Sequence, residues 1–186
     1  MIRMKGDNYV LRDWEEADLS IYRAWLRPGN EWEKTDAPYY PPFTPDEADE
    51  HVANFLAVNN DGSHVPLRLA ISPANSSELV GSVSRYWISQ DTNWMAAGIA
   101  IFDPQYWGKG VGSEALSLWI DYLFDTAPEL VRLDLQTWSG NPGMMKLAAK
   151  LGFKEEARYR KARIVEGEYY DAIGYGILRE EWCGRD

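Results

Sequence analysis

Cysteine is nearly absent from this chain of 186 residues: Cys183 is the one example, so neither a disulfide framework nor a cysteine-built metal centre is available. Histidine is almost as scarce. His51 and His64 fall in a helical stretch and a polar loop, away from every motif described below, and neither is assigned to catalysis. Positive charge is in deficit, with 19 Lys and Arg against 29 Asp and Glu and a formal net charge of -10. That balance disfavours a partner held through its phosphate backbone and suits a neutral or cationic small substrate. No stretch approaches the roughly 20 apolar residues of a membrane span, and the opening MIRMKGDNYV lacks the apolar run of a signal peptide. Together these absences predict a protein of the reducing cytoplasm that binds neither nucleic acid nor membrane.

What is present is a mixed α and β pattern without repeats. With 45% hydrophobic residues, the length predicts one well-filled core and one domain over 1–186. Tyr9 to Arg12 reads as a strand, and Asp13 with Glu16 resembles a capping signal for a helix to about Leu26. In TPDEADEHVANFLAV, Thr44 can cap, Pro45 suits the first helical position and Glu47 completes a capping box. Apolar runs at Leu67 to Ser72, Leu79 to Ile88 and Met95 to Phe102, separated by turn clusters, predict an antiparallel meander. A helix is expected over Val111 to Phe124, a strand over Val131 to Trp138 and a short helix over Pro142 to Leu151. Two further strands follow, with a tight turn at Glu166 and Gly167.

The stretch DPQYWGKGVGSEALSLWIDYLF, Asp103 to Phe124, carries the first chemical signal. A strand, a turn containing Gly108, Lys109, Gly110 and Gly112, and then a helix place backbone N–H groups at a helix N-terminus, where the macrodipole also favours an anion. A phosphate is the expected visitor. A Walker loop needs Ser or Thr after its Gly-Lys and finds Gly110, while a dinucleotide fingerprint needs a third glycine at Ser113. Both fail. A plain tight turn that lets the helix pack close to the sheet stays open as the alternative. Along the helix, Val111, Ala115, Leu118 and Tyr122 form one apolar stripe and Leu116, Trp119 and Leu123 another, which reads as core, and Glu114 in the first turn reads as structural.

A second stretch, NPGMMKLAAKLGF from Asn141 to Phe153, follows a strand and ends in Gly-Phe. Together with WGKGVG it resembles the GNAT superfamily of acyl-CoA-dependent N-acyltransferases. LRDWEEADL and the closing GFKEEARYRKARIVEGEYYDAIGYGILREEW are similar to the branch that holds the ribosomal-protein N-terminal acetyltransferases. The resemblance implies an α+β fold with a central mixed, mostly antiparallel sheet, flanking helices, and two parallel strands, ending at Phe102 and Trp138, that splay apart. Acetyl-CoA would lie in that gap. Its amide-rich arm would meet the backbones of Ile101 and Phe102 and the helix begun by Asn141, and its pyrophosphate would meet the turn formed by Trp107, Gly108, Lys109, Gly110, Val111 and Gly112. Lys146 and Lys150 could add positive charge, with Lys109 ranked first. No metal is implied.

Acyl transfer to an amine needs a neutral nucleophile, a polarised carbonyl and a proton for the departing thiolate. The positions that the resemblance assigns to proton transfer are apolar here: Met144 and Ala148 for the acid, Ala96 for the base. Substitute candidates are Asp134 and Asp36 for the base and Ser139 for the acid; solvent water with carbonyl polarisation by a backbone N–H is the alternative. The loop Trp32 to Phe43 offers Trp32, Tyr39, Tyr40 and Phe43 as aromatic walls and Glu31, Glu33 and Asp36 as charge for an amine or a peptide N-terminus. Trp138, at a strand end, and Asp171 and Tyr175, on the last strand, are further acceptor-side expectations. A homodimer is allowed. The expected activity is N-acetyl transfer to a small amine or a protein N-terminus. A degenerate acyl-CoA-binding or sensing module is the second reading, and an ATP-binding domain, which lacks its motif and acidic metal ligands, the third.

Overall fold

The computed structural model describes residues 1–59 and 65–184, so His64 lies outside the described residues. Among the described residues one eight-stranded sheet runs in the order β1-β2-β3-β4-β5-β6-β8-β7. The strands are β1 (Ile2–Lys5), β2 (Tyr9–Arg12), β3 (Arg68–Pro73), β4 (Gly81–Ser89), β5 (Trp94–Ile101), β6 (Arg132–Trp138), β7 (Lys154–Val165) and β8 (Glu168–Leu178). The expected meander is there, β2 to β5 pairing antiparallel in sequence order. At the far edge β7 and β8 form a long hairpin whose Glu166 (φ 51°) and Gly167 (φ 85°) are both left-handed, the pairing that a two-residue turn needs to match strand twist.

Strand alternation separates two cores. Leu69 and Ile71 of β3 face α3 (Val111–Thr126), whose Leu116, Trp119, Ile120 and Leu123 are fully buried. Ala70 faces the other way, toward α1 (Glu16–Trp25) and α2 (Pro45–Asn59), where Trp14, Tyr22, Val52, Phe55 and Phe102 pack together. The box at Thr44 forms as expected: the Thr44 N–H donates to Glu47 (2.8 Å) and the Glu47 N–H to the Thr44 hydroxyl (3.3 Å). The cap of α1 differs from expectation. It sits at Glu15, whose N–H donates to Asp18 (2.8 Å), because Asp13 is taken by Arg3 (2.7 Å). Asp18 also closes a buried bidentate pair with Arg12, which fixes α1 to β2.

The only parallel neighbours among the described strands are β5 and β6, and their pairing is short. Met95 meets Leu133 and Ala96 meets Asp134; beyond that rung the strands part. Phe102 donates its N–H to Val80 (2.9 Å), so the even-numbered residues of β5 turn their backbone groups to β4 and the odd-numbered ones, Ile99 included, face the gap. Across it, the bonds of Val131 and Ser139 to the β8 side leave Gln136 facing back. Two strands therefore present unpaired polar edges to each other.

Candidate active site

Two cavities open on this gap. The first, about 600 Å³, runs from Ile99 and Ile101 past Trp107 to the start of α3 and on to α4 (Pro142–Lys150). Gly108 (φ 71°) and Gly110 (φ 86°) are both left-handed, which is why glycine stands there. A Cβ at either would meet nothing within 4 Å, so the turn leaves open space in front of the helix. Gly112 also lines the cavity and serves packing as well, because a Cβ there would lie 3.2 Å from Leu147 and its smallness lets α4 approach α3. No side chain caps α3 at Gly110, and its first N–H groups have no intrahelical acceptor. An anion is the partner that this end lacks.

Side chains around the cavity complete the charge. Lys146 and Lys150 line it, and Lys150 donates to the Ser113 hydroxyl (2.9 Å). Lys109 does not reach it: its ammonium lies 5.9 Å over the Tyr106 ring, because the left-handed residues on either side turn it outward. The ranking of Lys109 above the two α4 lysines is thereby corrected. Trp107 donates its indole N–H to the Ile101 carbonyl (2.9 Å), filling one acceptor on the β5 edge. Phe102 is also corrected as a backbone contact in this cavity, since its N–H is committed to Val80 and its ring packs on Trp32 (5.2 Å). Ile99 takes that place, and strand alternation from Ile101 was the signal that could have found it.

The second cavity, about 710 Å³, lies on the other side of the splay and gathers its wall from β3 to β8 and the loop before α2. Trp32, Tyr39, Tyr40 and Trp138 line it as expected, and so do Asp36 and Asp134. The loop is fastened across the gap at one atom. The Thr35 carbonyl accepts both the Trp138 indole N–H (3.0 Å) and the Asn141 side-chain amide (3.0 Å). Asn141 meanwhile caps α4 by accepting the Met144 N–H (2.9 Å), so both halves of its amide are in use.

Several expected acceptor-side residues are not brought together here. Tyr175 points into the main core, since alternation along β8 gives the cleft Gly174 instead. The Ser139 hydroxyl lies outside both cavities and accepts the Asp171 N–H (2.9 Å), while the Asp171 carboxylate takes Arg158 (3.0 Å). Glu31 and Glu33 turn away to Lys34 and the Gly29 N–H, and Phe43 packs on His51. Of the loop carboxylates only Asp36 lines the cleft, and it lines both cavities. Its surface is exposed, yet the protein packed around it desolvates the carboxyl and holds it above the ordinary range despite the nearby Arg68. No hydrogen bond to its carboxylate occurs among the described residues.

Asp134 contrasts with it. Burial also pushes its carboxyl up, but Arg132 grips it (2.6 Å) and reaches on to Glu156 (2.5 Å). His51 stays outside the cavity walls, its imidazole pushed below the ordinary histidine range by burial and by Arg68. The cleft arginines Arg68, Arg132 and Arg163 escaped the sequence reading because they stand on strands far apart in the chain. Glu114 is structural, accepting the N–H groups of Asn8 (2.7 Å) and Tyr9 (2.9 Å).

An anion-ready helix end, a strand gap with unpaired edges and a second cleft meeting the first define a protein built to hold an extended anionic ligand against another substrate, the layout of a group-transfer enzyme. Residues 8–154 match the acetyltransferase (GNAT) domain family, and the chain belongs to that family. It is similar to the SPbeta prophage-derived uncharacterized N-acetyltransferase YokL of Bacillus subtilis, 28% identical over 113 residues, 60% of this chain and 62% of that protein. The chain thus spans less than two thirds of the length of the curated relatives that it matches. Solved structures with this fold include spermidine N-acetyltransferase from Vibrio cholerae in complex with CoA and spermine. That likeness has a TM-score of 0.75 at 23% identity and covers 95% of this chain and 98% of that one. Another is RimL, a ribosomal L7/L12 α-N-protein acetyltransferase in complex with coenzyme A, with a TM-score of 0.75 at 19% identity, covering 96% and 98%. Two named substrates at equal TM-score leave the ribosomal branch unselected. No described helix is long and apolar enough to cross a membrane, and no described cluster of His, Cys, Asp and Glu could hold a metal.

Proposed function

We propose that the chain is an acetyl-CoA-dependent N-acetyltransferase that moves an acetyl group directly to a primary amine, acting in the cytoplasm, where a single free cysteine is at ease. The observation that carries this reading is the shared wall: Asp36, Ile99, Asn141 and Met144 line both cavities, so a ligand in each would meet at the splay. The open N–H groups of α3, the two α4 lysines and the unpaired strand edges suit the phosphates and amides of the cofactor. Acetyl-CoA supplies the thioester when bound. Asp36, with its carboxyl raised, is the base that takes one proton from the amine; the Ile99 N–H faces the gap where a carbonyl oxygen would need a donor. The new bond joins the amine nitrogen to the acetyl carbon, the carbon–sulfur bond breaks, and the proton ends on the departing thiolate.

The acceptor range suggested by the neighbours runs from polyamines to protein N-termini. Apolar Met144 and Ala148 favour a second reading, an acyl-CoA-binding module without turnover. Free-thiol release from acetyl-CoA across amines, amino acids and N-terminal peptides decides between them. A transferase releases thiol only when a suitable amine is present, faster as pH rises and more amine is neutral; tight acetyl-CoA binding with no thiol release across the panel would establish the second reading.

A further inference from the structure

The acceptor cleft is electrically balanced although the chain is not. Its wall holds the carboxylates Asp36, Asp134 and Glu156 and the guanidiniums Arg68, Arg132 and Arg163, in a protein of net charge -10. Most of these answer one another. Arg132 is shared by Asp134 and Glu156. Arg68 lies in the field of Asp36 and donates to the Tyr22 hydroxyl (3.3 Å). Arg163 is left over. No carboxylate reaches it among the described residues; its only hydrogen bond there goes to the Ala162 carbonyl (3.2 Å), and its Nε is buried without an acceptor. The guanidinium is held in place 4.5 Å over the Tyr39 ring, which itself packs edge-on against Trp138.

We infer that the acceptor is a primary amine that also carries a carboxylate, the carboxylate going to Arg163 and the amine to Asp36. This rests on the acetyl-transfer reading above. The Arg163 guanidinium lines the cleft with no carboxylate against it among the described residues, and a planar carboxylate is the group whose geometry suits its fork. A polyamine would bring two or more positive charges to a wall whose single carboxylate without a hydrogen bond is Asp36, and one of them would face Arg163. An amine with its own carboxylate keeps the cleft neutral. The stacking of Arg163 on Tyr39 orders the fork before the ligand arrives.

The test is thiol release from acetyl-CoA with pairs that differ only in the carboxylate: phenylalanine against phenethylamine, 4-aminobutyrate against propylamine, and the peptide amide Asp-Phe-NH2 against Asn-Phe-NH2, which separates a free aminocarboxylate from an acidic peptide N-terminus. In at least one pair the carboxylated member is expected to have a kcat/KM higher by about tenfold or more, the scale of one charge-assisted bidentate contact. Arg163→Gln should shrink that ratio toward one through KM, and Arg163→Lys should restore part of it. Equal or better turnover of spermine and the carboxylate-free amines overturns the inference and leaves acetyl transfer standing. Acetyl-CoA binding with no thiol release from any amine overturns both. The wild-type ratios decide even where a variant fails to fold.

Discussion

The cavity at the start of α3 and the cleft on the other side of the splay share a wall but are built by different means. The first draws mainly on two contiguous stretches, 99–113 and 141–150, and its main polar offer is backbone: the uncapped N–H groups of α3 and the parted edge of β5. The second collects side chains from six strands and a loop, and its offer is aromatic rings and paired charges. Backbone recognition requires glycines at fixed places in a local turn, so it leaves a motif. Side-chain recognition assembled by long-range packing leaves none.

Gly110→Asp is the sharpest way to break the cofactor half of that contrast. The position is open, so the new side chain has room at the cost of some left-handed backbone strain, and it places a carboxylate before the N–H groups of α3. Acetyl-CoA affinity is expected to fall about 100-fold or more, read by calorimetry, because an anion site would then face a fixed negative charge. Unchanged affinity would remove the phosphates from this turn.

Next in size is the division between the two cleft aspartates. Asp36→Asn should lower kcat by about 10²-fold and flatten the acidic limb of the pH profile, the loss expected for a general base. Asp134→Asn should cost far less turnover, since Arg132 keeps Glu156. Stability supplies a second readout. The folded carboxyl of Asp36 is raised, so the fold binds its proton more tightly than the unfolded chain does, and stability falls as pH rises from the unfolded value through the folded one. Above the folded value that penalty is fully present, and there Asp36→Asn should raise Tm while it lowers kcat. A reversed pattern, with Asp134→Asn carrying the large kcat loss, would move the base to β6.

Asn141 joins the two halves, and Asn141→Asp separates its two roles. The variant keeps an oxygen to cap Met144 but loses the amide N–H that holds the Thr35 carbonyl, and Trp138 becomes that carbonyl's remaining clamp. An increase of roughly tenfold in acceptor KM with little change in Tm is expected, about one hydrogen bond's worth of loop positioning. A larger fall in acetyl-CoA affinity in Asn141→Asp than in Asn141→Ala would instead mark the residue as a charge-sensitive cofactor contact.

The same contrast governs what could be read from the sequence. The meander, the hairpin turn and both glycine-bearing stretches were legible because each rests on periodicity or on glycine, proline and asparagine at defined spacing, whereas the splayed parallel pair came only with the family resemblance. The facing of single side chains was not. Tyr175 and Phe102 were expected at the site from the family resemblance, but alternation on β8 and β5 turns one into the core and ties the other to Val80. Lys109 lies within the motif and still misses the cavity, since two left-handed neighbours rotate it outward. Arg68 and Arg163, 95 positions apart, belong to one wall only because β3 and β7 frame the same cleft.

The smallest expected effect separates the two uses of α3. Its first turn faces an open anion site on one side, while Glu114, on the same turn, reaches back to hold the N–H groups of Asn8 and Tyr9 in the link between β1 and β2. Burial works against that carboxylate, but the hydrogen bonds from Asn8 and Tyr9 outweigh it and hold the group below the usual glutamate range. A depressed carboxyl contributes stability that is fully present above the unfolded value of about 4.3 and is lost as pH falls through the folded value. Glu114→Gln should therefore cost about 1–2 kcal/mol at pH 7, the range for hydrogen bonds to a charged group with partial exposure. For a domain of this size that corresponds to roughly 2–8 °C in Tm. The gap should close in acid, where the wild-type side chain is itself protonated and the two proteins become alike. Acetyl-CoA affinity should stay within about twofold, because this carboxylate faces β2 and not the cavity. A Tm difference that persists unchanged in acid below the folded value would trace the loss to packing, and a large fall in acetyl-CoA affinity would show that the helix end serves both anions as one site.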